Sequence, residues 1–172
     1  MNNELKIVEQ QIGRKLRSDS EISCRCHFNI PAVIKVPPKL DDGTPFPTTY
    51  WLTCPMYNKK IGSLESHGLI KELDKEILNN PELKKQWESR QKSYRQDREN
   101  LETEDLGPKA TGGVGGAKES IKCLHSHTAD ELSTGKNIIG KIVIESIGGF
   151  NCEEACIDLK TLEKNKDWKI VW

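Results

Sequence analysis

The sequence predicts an α+β fold: a small antiparallel sheet of about three strands, within residues 21–55, packed by several helices. Three observations lead there. Between residues 21 and 55, short runs rich in alternating apolar residues are separated by turn residues. Outside that region apolar residues recur at spacings of three and four. The composition, 35% hydrophobic and 30% charged, suits helices with long solvated faces better than a compact sandwich. The 172 residues read as a single domain, long enough to bury a core without cross-links.

Each element has its own signal. Leu5, Val8, Ile12 and Leu16 mark an amphipathic helix that Gly13 weakens. Ile22, Cys24, Cys26 and Phe28 would share one face of a first strand. Asn29-Ile30-Pro31 makes a turn, with Asn29 suited to a left-handed conformation. Ala32 to Val36 is a second strand, stopped by Pro37-Pro38, and Thr48 to Cys54 is a third. Ile61, Leu64, Ile70, Leu73 and Ile77 keep helical spacing, interrupted near Gly68. Asn80-Pro81-Glu82 starts a long helix with one narrow stripe, Leu83, Trp87, Tyr94 and Leu101, and charged faces elsewhere. Residues 104–117 read as a flexible glycine-rich connection; their Gly116-Ala117-Lys118-Glu119-Ser120 end lacks the Gly-Lys-Ser/Thr of a phosphate loop. Ile121, Leu124, Thr128 and Leu132 form the stripe of a further helix ending at Gly135. Ile138 to Ile147 fits a buried helix, with a strand as the alternative. Residues 150–172 are a C-terminal extension whose tail, Trp168 to Trp172, could add an edge strand.

Charge and composition narrow the function. Acidic and basic residues balance to a net charge of zero, which gives no support to a nucleic-acid or anionic-membrane partner. No run of about 18 apolar residues exists, so no membrane span is expected. The first residues lack the basic and apolar regions of a signal peptide, and a cytoplasmic location with six reduced cysteines is expected. In that setting clustered cysteines point to metal or catalysis.

The chemistry-bearing residues gather in three stretches. Lys122-Cys123-Leu124-His125-Ser126-His127 holds one thiol and two imidazoles. Cys24-Arg25-Cys26-His27 and Thr53-Cys54-Pro55 would have to fold back onto it. Arg25-Cys26 before Pro31, the run Asp42-Gly43-Thr44-Pro45-Phe46-Pro47-Thr48, then Tyr50-Trp51-Leu52-Thr53-Cys54-Pro55, Leu64-Glu65, Gly68 and Lys122-Cys123-Leu124-His125 resemble the bacterial domain-of-unknown-function family 501 (DUF501). The resemblance covers roughly residues 5 to 147. Where that family usually carries glycine this chain has Asn29, and both residues accept positive φ. Cys24, Cys152 and Cys156 lie outside the matching motifs. The family implies no assigned activity.

Zinc takes thiolate and imidazole ligands in a tetrahedron, and Cys26, Cys54 and Cys123 with one histidine would supply a Cys3His set. In a regular helix Cys123 and His127 would lie about 40° apart and share a face, which favours His127. If Cys123 still lies in extended chain, His125 becomes the ligand, as the family motif favours. Cys152 and Cys156 could form a second cluster, or a four-cysteine iron–sulfur site with Cys26 and Cys54. Against metal, no Cys-x2-Cys pair is present, and a buried free cysteine is ordinary core. A third reading makes Cys123 or Cys54 a nucleophile, His125 or His127 its base, and Glu65, Arg25 or Lys122 the orienting or anion-binding groups. The expectation is a zinc-stabilised, non-catalytic module that binds another protein. The alternative is a small cysteine–histidine enzyme acting on an anionic small molecule.

Overall fold

The structure, a computed structural model, describes residues 3–102 and 108–172. Helix α1 (Asn3–Ile12) buries Ile7 and Val8 and stops at Gly13. Strands β1 (Glu21–Arg25), β2 (Pro31–Lys35) and β3 (Tyr50–Leu52) form one antiparallel sheet in that order. Asn29 takes the left-handed conformation expected of it, with a φ of 58°. Hydrogen bonds from Asn29 N to Cys26 O and from Cys26 N to Ile30 O, both 2.9 Å, close that turn. The apolar run of β2 is buried on both faces, as an unbroken apolar strand should be. Ile34 and Val36 join Val8 on one side, and Ala32 and Val33 join the main core on the other.

The first strand departs from simple alternation. Its pairing with β2 shifts register on both sides of Cys24. A bulge inserts a residue and reverses which face the following side chains take. Ile22 therefore packs with Val8 and Ile34, Cys24 against the main core, and Cys26 and Phe28 with Ile7, Ile30 and Ile157. The shared face expected for these residues is split into three.

Helices α2 (Pro55–Ser66) and α3 (Leu69–Asn79) are separated at Gly68, whose φ of 94° a β-carbon would resist. Helix α4 (Pro81–Glu99) starts on Asn80, whose side chain accepts from Leu83 N at 3.1 Å. Leu83, Trp87 and Tyr94 are buried along it, while Leu101 is only half-buried. Three polar residues expected on a wet face, Arg90, Gln91 and Arg98, are buried as well. Arg98 donates to the carbonyls of Pro47 at 3.1 Å, Ala110 at 3.2 Å and Gly112 at 2.8 Å. Gln91 Oε1 accepts from Val114 N at 2.7 Å. Residues 104–107 of the expected flexible connection lie outside the described residues. Residues 108–117 are held against α4 by these bonds, and Val114 is fully buried. Glu99 does stand in solvent, so Glu99→Ala should change stability by less than about 0.5 kcal/mol in urea unfolding.

Helix α5 (Leu124–Thr134) ends at Gly135 as expected, and Ile138–Ile147 is helix α6, not a strand. Asn137 caps α6 by accepting from Gly140 N at 3.0 Å. The two helices touch at Gly140, where a β-carbon would lie 2.2 Å from His127 O and 2.6 Å from Glu131 Cβ. Because one obstacle is backbone, Gly140→Ala should force α5 and α6 apart and cost about 1–3 kcal/mol by the same measurement. The extension carries a short hairpin, β4 (Ile157–Asp158) and β5 (Glu163–Lys164), whose Ile157 packs on Ile7 and Ile30. Residues 168–172 form no strand; Trp168 and Ile170 instead pack half-buried on the main core. No helix among the described residues is long and apolar enough to cross a membrane.

Candidate functional site

The chain brings Cys123, His125 and Glu65 together. Glu65 comes from the last turn of α2, and the other two from the start of α5. Residues 121–124 are gripped by two carboxylates: Ile121 N donates to Asp74 Oδ1 and Leu124 N to Glu65 Oε1, each at 2.8 Å. Glu65 thus caps α5 from a neighbouring helix and sits at the positive end of its dipole. Cys123 is the residue before the helix, in extended backbone with φ −154° and ψ 116°. That is the condition under which His125, not His127, turns toward the thiol.

The distances define a small polar centre. Cys123 Sγ lies 3.9 Å from His125 Nδ1, and that nitrogen lies 3.3 Å from Glu65 Oε1. The three ligand atoms are all within 4.8 Å of one another, and no other such group of three occurs among the described residues. The far nitrogen, Nε2, lies 3.2 Å from the carbonyl of Asn58. A carbonyl only accepts, so Nε2 carries a hydrogen, and in the neutral ring Nδ1 bears the lone pair. That lone pair faces a thiol and a carboxylate. The thiol S–H can donate to that lone pair, and the carboxylate beside it only accepts, so Nδ1 is placed to share a proton with either neighbour.

The electrostatics follow. Burial opposes ionisation of Cys123, but His125, and then the N–H and hydroxyl of Ser126, outweigh it and bring the thiol below its ordinary value. No capping hydrogen bond of ordinary geometry reaches the sulfur, so Ser126 acts as a nearby dipole at the helix start. Burial also opposes charge on His125; Cys123 and Glu65 overcome it and raise the imidazole to about 8. Both groups remain half-buried and reachable. The glycine-rich turn leans on this centre: a β-carbon on Gly115 would lie 3.3 Å from Ser126 Oγ and 3.6 Å from Cys123 Cβ.

The remaining expected residues lie elsewhere. Cys26, Cys54 and Cys123 do not come within 4.8 Å of one another, so the expected Cys3His set is not assembled. Cys26 and Cys54 instead border a cavity with Cys152 and Cys156. His127 is 1% exposed, with Nδ1 3.0 Å from Asn137 Oδ1, and burial keeps its imidazole pKa below the ordinary value. It joins α5 to α6 and is a core residue. Arg25 pairs with Glu4 and donates to Asn29 O at 3.3 Å. Lys122 is exposed, next in sequence to Cys123. The sequence reading missed Asn58 and Ser126. Asn58 acts through its backbone, which leaves no signature. Ser126 could have been found once the helix start was placed at Leu124, because it then occupies the third helical position, whose N–H faces a capping side chain.

Comparison with curated proteins and with solved structures returned no significant match. The family described as Protein of unknown function (DUF501) matches residues 22–145, a span that includes Cys26, Cys54, Glu65, Cys123 and His125. The match covers well over half of the sequence, and the chain belongs to that family.

Proposed function

We propose that the protein is a small thiol enzyme in which Cys123 attacks an electrophilic, anionic small molecule. His125 takes the thiol proton, and Glu65 orients the imidazole. The observation that carries this reading is a half-buried thiol at a helix start, 3.9 Å from a histidine nitrogen whose ring partner is committed to a carbonyl. Transfer of the proton from Sγ to Nδ1 leaves a thiolate beside an imidazolium, and the new Nδ1–H can be shared with Glu65. The exposed Lys122, next to Cys123, favours an anionic substrate.

A zinc-type ion at Glu65, Cys123 and His125 is the second reading, favoured by the mutual approach of their three ligand atoms. It would leave one coordination position open, in the manner of reactive rather than purely structural zinc sites. The closed site of a non-catalytic, partner-binding module would draw on Cys26 and Cys54, which border a different cavity.

Timed alkylation with mass-spectrometric readout of each cysteine tests these readings. Cys123 should be modified first, and more readily by iodoacetate relative to iodoacetamide than a free cysteine is. Cys54 should be last, since it is the buried one of the six cysteines. Chelator should leave Cys123 the first to react. If Cys123 reacts no faster than Cys24, the thiol reading is wrong. If it reacts only after chelator is added, the metal reading replaces it.

A further inference from the structure

A second set of sulfur ligands stands apart from Cys123. Cys26, Cys54, Cys152 and Cys156 line one small, largely apolar cavity. The free space within is about 10 Å³ to the centre of a water-sized sphere, room for one ion or one water and not for a substrate. The four residues come from three distant parts of the chain: the turn after β1, the start of α2 and the C-terminal extension. One donor already faces a sulfur: Gln11 Nε2 lies 3.8 Å from Cys156 Sγ. His27 also borders the cavity, but its Nε2 lies 2.9 Å from the Cys152 carbonyl and braces that loop.

We propose that Cys26, Cys54, Cys152 and Cys156 bind a single zinc ion in a closed, structural four-thiolate site. Neutral thiols crowded in an apolar cavity gain little from one another, whereas four thiolates satisfy a tetrahedral soft-metal ion. Binding releases the four thiol protons to solvent. A tetrahedron with Zn–S bonds of about 2.3 Å sets the sulfurs roughly 3.8 Å apart. No three of these sulfurs are within 4.8 Å of one another, so the ion must draw them together. The chain permits that: Cys54 is fixed at a helix start, while Cys26, Cys152 and Cys156 lie outside helices and strands. The consequence is a staple. Residues 150–172 have only two strands of two residues each, and the ion fastens them to the sheet and to α2. The site is independent of the thiol chemistry assigned to Cys123.

The test is elemental analysis of the full chain purified under reducing conditions without added metal. About one zinc per chain is expected, retained in Cys123→Ser and Cys24→Ser, lost in Cys152→Ser and restored in Cys152→His. Should Cys152→Ser fail to fold, cobalt(II) titration of metal-free wild type gives the same answer. It should show the charge-transfer absorption of a four-thiolate tetrahedral site. Three results overturn the proposal: protein that neither carries zinc nor takes up cobalt, zinc that leaves with Cys123→Ser and stays in Cys152→Ser, or iron with acid-labile sulfide in place of zinc.

Discussion

Asp130→Ala should destabilise the protein by about 3–5 kcal/mol, because it strands a buried guanidinium. Arg90 on α4 is almost fully buried, and its Nε and NH2 donate to the two oxygens of Asp130 at 2.8 and 2.7 Å. Asp130 itself is fully buried and also accepts from Asn137 Nδ2 at 2.8 Å. Asn137 in turn contacts His127 and caps α6. One carboxylate therefore ties α4, α5 and α6 together. The second acid near Arg90, Asp97 at 3.1 Å, is half-exposed and cannot replace it. Removing both charges should be milder than removing one: in Arg90→Met with Asp130→Leu, much of the loss should return, since no lone charge stays buried. Urea unfolding of the two single variants and the double variant measures this. A cost below about 1 kcal/mol for Asp130→Ala would mean that water or Asp97 solvates Arg90 after all.

That network marks where the sequence stops being readable. The hairpin of β1 and β2 was legible because Asn29 and Pro31 restrict the backbone locally, and β2 because its apolar run is continuous. The start of α4 was legible because Asn80-Pro81 carries its own capping chemistry. Arg90 and Arg98 were not. A charged residue on a helix is ordinarily solvated, and what buries these two is a carboxylate 40 residues away and three loop carbonyls. The candidate site was half legible. Cys123 and His125 follow from their stretch, and Glu65 was a candidate orienting group. The parting of Cys26 from Cys123 was invisible, because it depends on the register shifts at Cys24, which split the residues of β1 among three clusters.

The alkylation rate of Cys123 should rise with pH in two steps, and His125→Ala should abolish the first. The sign follows from the pair. At low pH the thiol is protonated and unreactive. As pH rises through the lowered value of Cys123, a thiolate forms beside a histidine that stays protonated up to about 8. This paired thiolate reacts, but the imidazolium tempers it. Above about 8 the imidazolium is lost, and the freed, more basic thiolate reacts faster, which gives the second step. The two apparent values belong to the pair and not to either residue alone. Without His125 the thiol should titrate once, nearer the ordinary cysteine value of about 8.5. Glu65→Gln removes a charge that holds the imidazole protonated, so the second step should begin at lower pH than in wild type. Stability carries the same signature. Because the folded state raises His125 above its unfolded value of about 6.5, its charge stabilises the fold fully below that pH, and the contribution fades as pH rises through about 8. Thermal melts of wild type and His125→Ala should therefore differ most in mild acid and converge toward alkaline pH. A single alkylation step near 8.5 in the wild type would dissolve the ion pair, and the assignment of His125 as proton acceptor with it.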